Sequence, residues 1–239
     1  MTRFYCSEAS EQFRQLGRRL EEEEPQYAAY CHLATARCEQ TVGNCPGEIE
    51  AAVAAGRNFL RAELREARML QPSLELEMAG AVAGFRAAAQ LHSEANRPLL
   101  AAGLYTELAD AFWSLDRPLD ALPHYQAALA LSEGHTSEQL GLQLKLASCH
   151  IATPDHHNAL LVLSEAAVLA AEDGDPLLLH TDTRAGVETT RLLLLLITEP
   201  SPHNTAPELL ALLARYQAED GQPLQELGPQ LAILLQVGK

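Results

Sequence analysis

The sequence predicts an all-α protein built as a solenoid of stacked helix pairs, and two observations carry that expectation. Ala and Leu dominate a chain of 239 residues that holds only seven Val and four Ile. Strong helix formers are therefore plentiful, and β-branched aliphatic strand formers are scarce. A single spacing of large and small residues also recurs three times. It runs through Phe13, Leu16, Gly17 and Leu20, then Ala29, Leu33 and Ala36. The same offsets hold Tyr105, Leu108, Ala109 and Phe112, then Ala121, Tyr125 and Ala128. They hold again for Gln143, Leu146, Ala147 and His150, then Ala159, Leu163 and Ala166. Large side chains at these offsets fill the space between two antiparallel helices, and small ones let the helices approach closely.

This is the packing framework of the tetratricopeptide repeat, a helix–turn–helix unit of about 34 residues. Such a unit cannot bury its apolar face alone, so units stack, and the stack is usually a binding surface. Leu108 and Leu146 are 38 residues apart, so the repeats are degenerate and suit one partner better than a generic peptide. The expectation is a tetratricopeptide-like right-handed helical solenoid of about four helix pairs plus C-terminal helices. It forms one domain over residues 1–239, with repeats at about 7–173 and the C-terminal helices at about 180–238.

The elements follow in order from their caps and breaks. A first helix fits residues 7–23, with Ser7 as N-cap and Pro25 as its end. A second fits 26–42 and stops at Gly43-Asn44 and Pro46-Gly47. A third, long helix fits 48–70 and breaks at Pro72-Ser73, and a fourth reaches residue 94. That pair keeps Ala55, Gly56 and Phe59 in place, but its helices are too long for a regular unit. Asn96-Arg97-Pro98 makes the next turn, and the fifth and sixth helices flank Asp116-Arg117-Pro118. Gly134-His135-Thr136 and Thr153-Pro154-Asp155 bound the seventh, and the eighth follows. After Asp173-Gly174-Asp175-Pro176 the pattern changes. A helix fits 182–198, Pro200, Pro202 and Pro207 make a rigid linker, and shorter helices fit 208–218 and 224–237.

Charge narrows the partners. The formal net charge is −15, with −2 on residues 1–68 and −13 on residues 69–239. The acidic part repels nucleic acid and acidic membrane surfaces and attracts a basic protein; it also serves as a solvated surface that aids solubility. The run Glu21 to Glu24 opposes the dipole of the helix it ends and reads as a solvated turn. The longest apolar runs, residues 192–197 among them, are six residues, whereas a membrane span needs about twenty. Direct membrane insertion is not expected.

Chemistry is not expected either. Cys6, Cys31, Cys38, Cys45 and Cys149 form no C-x-x-C pair, and Arg3 and Glu8 bracket too few apolar residues for a signal peptide. Reduced thiols in the cytosol or nucleus are the reading. Cys31 and Cys38 share a helix face at a spacing too wide for the usual zinc pair, so packing is expected of them. His150, near Cys149, His156 and His157, holds a framework position and reads as an interhelical residue. No Gly-rich phosphate loop, G-x-S-x-G or H-E-x-x-H occurs. The expectation is no enzyme, no cofactor and no metal.

Candidate partner-binding residues come from helix facing. Trp113 follows the framework Phe112, so it points to another face, read as the concave groove; Ile151 follows His150 in the same way. Asp110, Leu144 and Ser148 line that groove in this reading. Truncating a lone interfacial Trp typically costs about 2 kcal/mol or more. The stretch of Leu192, Leu193, Leu196 and Ile197 after Arg191 is apolar all round and needs burial on every side, by the chain itself or by a partner. The Lys and Asn clamp that some tetratricopeptide co-chaperones use for carboxylate tails is missing. Its positions hold Arg14 and Arg18, then Gly103, Thr106 and Asp110, then Gly141, Leu144 and Ser148.

Several stretches, in order, resemble one family. They are Glu11-Gln12-Phe13 with Gln15-Leu16-Gly17-Arg18, and Tyr27-Ala28-Ala29 with Cys31, Leu33, Ala34 and Ala36-Arg37-Cys38. Pro46-Gly47-Glu48, Phe59-Leu60-Arg61, Ala147-Ser148-Cys149 and Arg191 with its Leu run and Pro200 follow. The chain is similar here to the huntingtin-associated 40-kDa protein family, also called the factor VIII intron 22 protein family. That resemblance implies a helical scaffold in a one-to-one complex with huntingtin, wedged between its HEAT-repeat arrays. It further implies a link to early endosomes through a Rab GTPase and a role in vesicle motility. The chain departs from the family where a basic N-terminal extension, a long Pro-rich loop and final helices are expected.

Overall fold

The chain reverses where its sequence places turn residues. Gly43 adopts φ 80° and its N–H reaches the Glu39 and Gln40 carbonyls, a left-handed helix end that glycine takes without steric cost. Asn96 and Asp116 take the same region at φ 57° and 58°, and each is followed by Arg-Pro, with the proline opening the next helix. Proline fits there because its missing N–H would have no partner in the first turn.

In the computed structural model, residues 2–69, 75–172, 179–198 and 207–217 are described. Every element among them is an α-helix: α1 Thr2–Leu20, α2 Pro25–Val42, α3 Cys45–Arg68, α4 Leu76–Glu94, α5 Pro98–Ser114, α6 Pro118–Leu131, α7 Thr136–Ala152, α8 His156–Glu172, α9 Leu179–Ile197 and α10 Pro207–Gln217. The first helix starts earlier than a Ser7 cap predicts. Cys6 and Ser10 continue its inward face one turn apart, and Ser7 is exposed inside the helix. The break at Pro72-Ser73, the linker before Pro207 and the helix expected at 224–237 lie outside the described residues.

The packing divides the chain into two compact units, Met1–Glu133 and Gly134–Lys239, where the repeat spacing alone reads one array. In the first, α1 packs on α2, α2 on α3, α3 on α4, α4 on α5 and α5 on α6. The α3/α4 pair is long, as expected, with 24 and 19 residues. Its helices meet backbone to backbone. A Cβ on Gly84 would stand 3.0 Å from the Ala52 carbonyl oxygen and 3.1 Å from Gly56 Cα, and Phe59 and Phe85 fill the space on either side. In the α5/α6 pair, Leu108, Ala109, Phe112, Ala121, Tyr125 and Ala128 are all buried.

In the second unit α7 packs on α8, α8 on α9 and α9 on α10. All seven framework residues of its repeat, Gln143 and His150 included, are buried. Val187, Leu194 and Leu195 of α9 and Leu209 of α10 join Ala147, Ala159, Leu160 and Leu163 in one core cluster. The apolar stretch of α9 is therefore not buried all round: Leu196 and Ile197 are exposed. The helix presents its 187/191/194/195 ridge inward, and its exposed edge lies at Leu196 and Ile197.

Candidate interaction surface

Two large framework positions of the first pair are open, although its small ones, Gly17 and Ala29, are buried as in the later pairs. Phe13 and Leu16 occupy the offsets of the half-buried Tyr105 and buried Leu108, and of the buried Gln143 and Leu146, yet they are 39% and 47% exposed. Tyr5 lies on the same side of α1, two turns before Phe13, and is exposed as well. In a repeat stack these positions face the neighbouring helix, and a terminal repeat normally carries polar residues there. Here α1 presents an apolar stripe. Tyr27 and Tyr30 of α2 add exposed rings, and Tyr30 meets Phe59 edge-on at 5.3 Å.

A polar network fixes this helix pair. Ser10 Oγ donates to Glu39 Oε1 at 2.5 Å, Arg14 donates to the same oxygen at 2.9 Å, and Asn44 Nδ2 donates to Oε2 at 2.8 Å. The Ser10 bond is the main cause that holds the Glu39 carboxyl below its ordinary value; burial opposes it, and Asn44 and Arg14 assist it. His32, against the bare face of Gly17, pairs with Glu21 at 3.0 Å.

The acidic turn after α1 is answered by a row of arginines. Arg57, Arg61, Arg65 and Arg68 follow one side of α3. Arg61 donates to the Glu21 carbonyl at 3.0 Å and Arg65 to the Glu23 carbonyl at 2.7 Å, so cations satisfy the acceptors at the end of α1. Arg57 forks onto Glu107 of α5 at 2.7 and 2.8 Å. The row lines a groove of about 820 Å3 with Leu60, Leu64, Met69, Pro25 and Asp110. The i, i+4, i+8, i+11 spacing of these arginines is readable in the sequence. Their targets, 40 to 50 residues away, are not.

The predicted residues fall in several environments. Asp110 lines that groove and accepts from Tyr125 at 2.5 Å. Trp113 is 43% exposed and is not among the groove's lining residues. In the second unit Ile151 is exposed, and Leu144 packs against the core cluster, half-buried. Leu192 is fully buried, which removes it from any surface, because it lies on the inward side of α9. Leu193 is half-buried, and Leu196 and Ile197 are exposed. Of the cysteines, Cys149 is buried, Cys6, Cys31 and Cys38 are only half-buried, and Cys45 is exposed; burial pushes the Cys31 and Cys38 thiols up. His150 is interhelical, as expected, and pairs with Asp155 at 3.1 Å.

Curated proteins of two mammals match this chain. The 40-kDa huntingtin-associated proteins of Rattus norvegicus and Mus musculus are each 38% identical to it over 175 residues, 70% of this chain and 45% of each relative. The chain is a homologue of the 40-kDa huntingtin-associated protein. It spans less than half the length of these relatives. No family model matches it. A crystal structure of nearly identical TPR-like repeats from Podosopora anserina aligns over 91% of this chain and 98% of that one, at 14% identity and a TM-score of 0.47. The helical-repeat fold rests on the helix pairs described above. No helix among the described residues is long and apolar enough to cross a membrane.

Proposed function

We propose that this chain is a non-catalytic scaffold that binds huntingtin in a one-to-one complex and stabilises it, wedged between the HEAT-repeat arrays. The homology to proteins named for their association with huntingtin supplies the partner. The observation that carries the reading is the open apolar stripe of Tyr5, Phe13 and Leu16 on α1. A contiguous apolar face left on the surface marks a place where another protein docks, and a HEAT array offers the helix that would continue the stack. Trp113 and the Leu196/Ile197 edge of α9 are further exposed apolar contacts for the same large partner. The early-endosome role through a Rab GTPase follows in this proposal from the huntingtin complex rather than from a separate site.

Co-expression with the huntingtin of the same organism, followed by size-exclusion chromatography, tests it. Co-elution at one-to-one stoichiometry, with the chain aggregating when expressed alone, supports the scaffold. Separate elution, with this chain stable and monodisperse by itself, sinks it. It would then favour an independent adaptor that holds short peptides in the arginine-lined groove.

A further inference from the structure

Carboxylates collect where α3 ends and α4 begins. Glu63 and Glu66 lie one turn apart near the end of α3, and Glu77 sits in the first turn of α4. One oxygen from each lies within 4.8 Å of the other two. None of the three takes a hydrogen bond or salt bridge among the described residues. Like charges held this close, without a donor between them, repel one another.

Glu63 supplies the second and decisive observation. It follows Ala52, Ala55, Gly56 and Phe59 on the ridge of α3 that faces α4, and it is 3% exposed. Its Oε2 is sealed from solvent with no hydrogen-bond partner. Buried polar atoms are nearly always satisfied, and an orphaned carboxylate oxygen calls for a ligand. Arg117 does not fill that need, although its charge reaches Glu63. Its donors go to Asp120 at 2.7 Å and Glu75 at 3.4 Å, and its guanidinium lies 5.3 Å over the Phe112 ring. The Glu66 carboxyl is pushed up by burial and then by the charges of Glu77 and Glu63.

We propose that Glu63, Glu66 and Glu77 form a divalent-cation site, with calcium as the ion it fits best. Calcium holds carboxylate oxygens at about 2.3–2.6 Å, so oxygens on opposite sides of the ion stand up to about 5 Å apart. The cluster lies within that span throughout. Magnesium, at about 2.0–2.1 Å, needs its oxygens within about 4.2 Å and keeps most of its water. Three carboxylates from two helices, with water completing the shell, would tie the end of α3 to the start of α4. Cys and His spacing does not point to it, because these ligands are glutamates on two helices.

Equilibrium dialysis of the full chain against calcium chloride or magnesium chloride, at fixed ionic strength, tests the proposal, with thermal melts in parallel. The expected result is saturable uptake of one calcium per chain, a higher melting midpoint with calcium, and weaker uptake of magnesium. Glu77→Gln, at a half-exposed position, should weaken calcium uptake at least tenfold and leave helical content unchanged. Glu66→Gln should do the same. Absence of saturable uptake by the parent chain overturns the proposal, as does equal uptake by parent and Glu77→Gln. A metal-free Glu66→Gln chain that melts higher, while the parent takes up no calcium, overturns it in favour of a shared proton.

Discussion

Substituting Gly84 by alanine tests the α3/α4 contact on which the first unit is built. The added methyl would meet the Ala52 carbonyl oxygen and the Gly56 nitrogen at 3.0 Å, and Gly56 Cα at 3.1 Å. All three are backbone atoms, so no side chain can swing away. Ordinary van der Waals contact begins near 3.4 Å, so the helices must part by roughly 0.4 Å, loosening the packing of Ala55, Ala81, Phe85 and Ala88. Overpacking of this kind costs about 1–3 kcal/mol. Alanine returns up to about 1 kcal/mol of helix propensity, which leaves a net loss of about 1–2 kcal/mol. At about 2–5 °C per kcal/mol for a unit of this size, the melting midpoint should fall by about 2–10 °C. Gly103 is the control: a Cβ there meets nothing within 4 Å, so Gly103→Ala should stabilise by about 0.5–1 kcal/mol. Thermal and urea melts followed by circular dichroism read both. A Gly84→Ala chain as stable as Gly103→Ala would refute the close helix approach.

Three further outcomes follow from the polar and apolar clusters. Ser10→Ala removes the shortest hydrogen bond to the buried Glu39 carboxylate and should cost about 1.5–3 kcal/mol in a urea melt. Because Glu39 is held below its ordinary value, its contribution is present above the unfolded value of 4.5 and is lost as pH falls through the lower folded value; in Ser10→Ala the acid-unfolding midpoint should move up. His124 stacks 5.4 Å from Phe112 and 6.4 Å from Tyr105, and burial, then the Arg86 charge, lowers its imidazole below the usual 6.5. The unfolded chain therefore binds the proton first, so stability falls as pH drops below 6.5, and His124→Phe should flatten that part of the profile. Phe13→Glu with Leu16→Glu should change the stability of the free chain by less than about 1 kcal/mol, since both side chains are exposed, while weakening huntingtin binding more than tenfold.

Most of the fold could be read from periodicity because buried faces repeat. Leu108, Ala109, Phe112 and Tyr125, and likewise Leu146, Ala147 and Leu163, are buried as the offsets predict. The same offsets failed at Phe13 and Leu16 for a reason within the repeat logic: a framework position is buried only when a neighbouring helix covers it. Composition places the acidic run after α1 in solvent, and its side chains mostly are, but its carbonyls are held by Arg61 and Arg65 from a helix 40 residues on. Glu39 and Glu63 were missed for a related reason. Apolar spacing says which side of a helix turns inward and nothing about which polar groups the stack brings together there. The all-apolar stretch of α9 misled in the opposite way: composition cannot tell which of six consecutive aliphatic residues face the core, and the packing sends Leu192, Leu194 and Leu195 inward and Ile197 outward.

In the scaffold proposed above, the chain docks on huntingtin through the open side of α1. Amide hydrogen exchange of the chain alone and in the purified complex reads that face. Strong new protection over residues 2–20 on complex formation is the expected result. A stable complex in which α1 exchanges as it does in the free chain would contradict it.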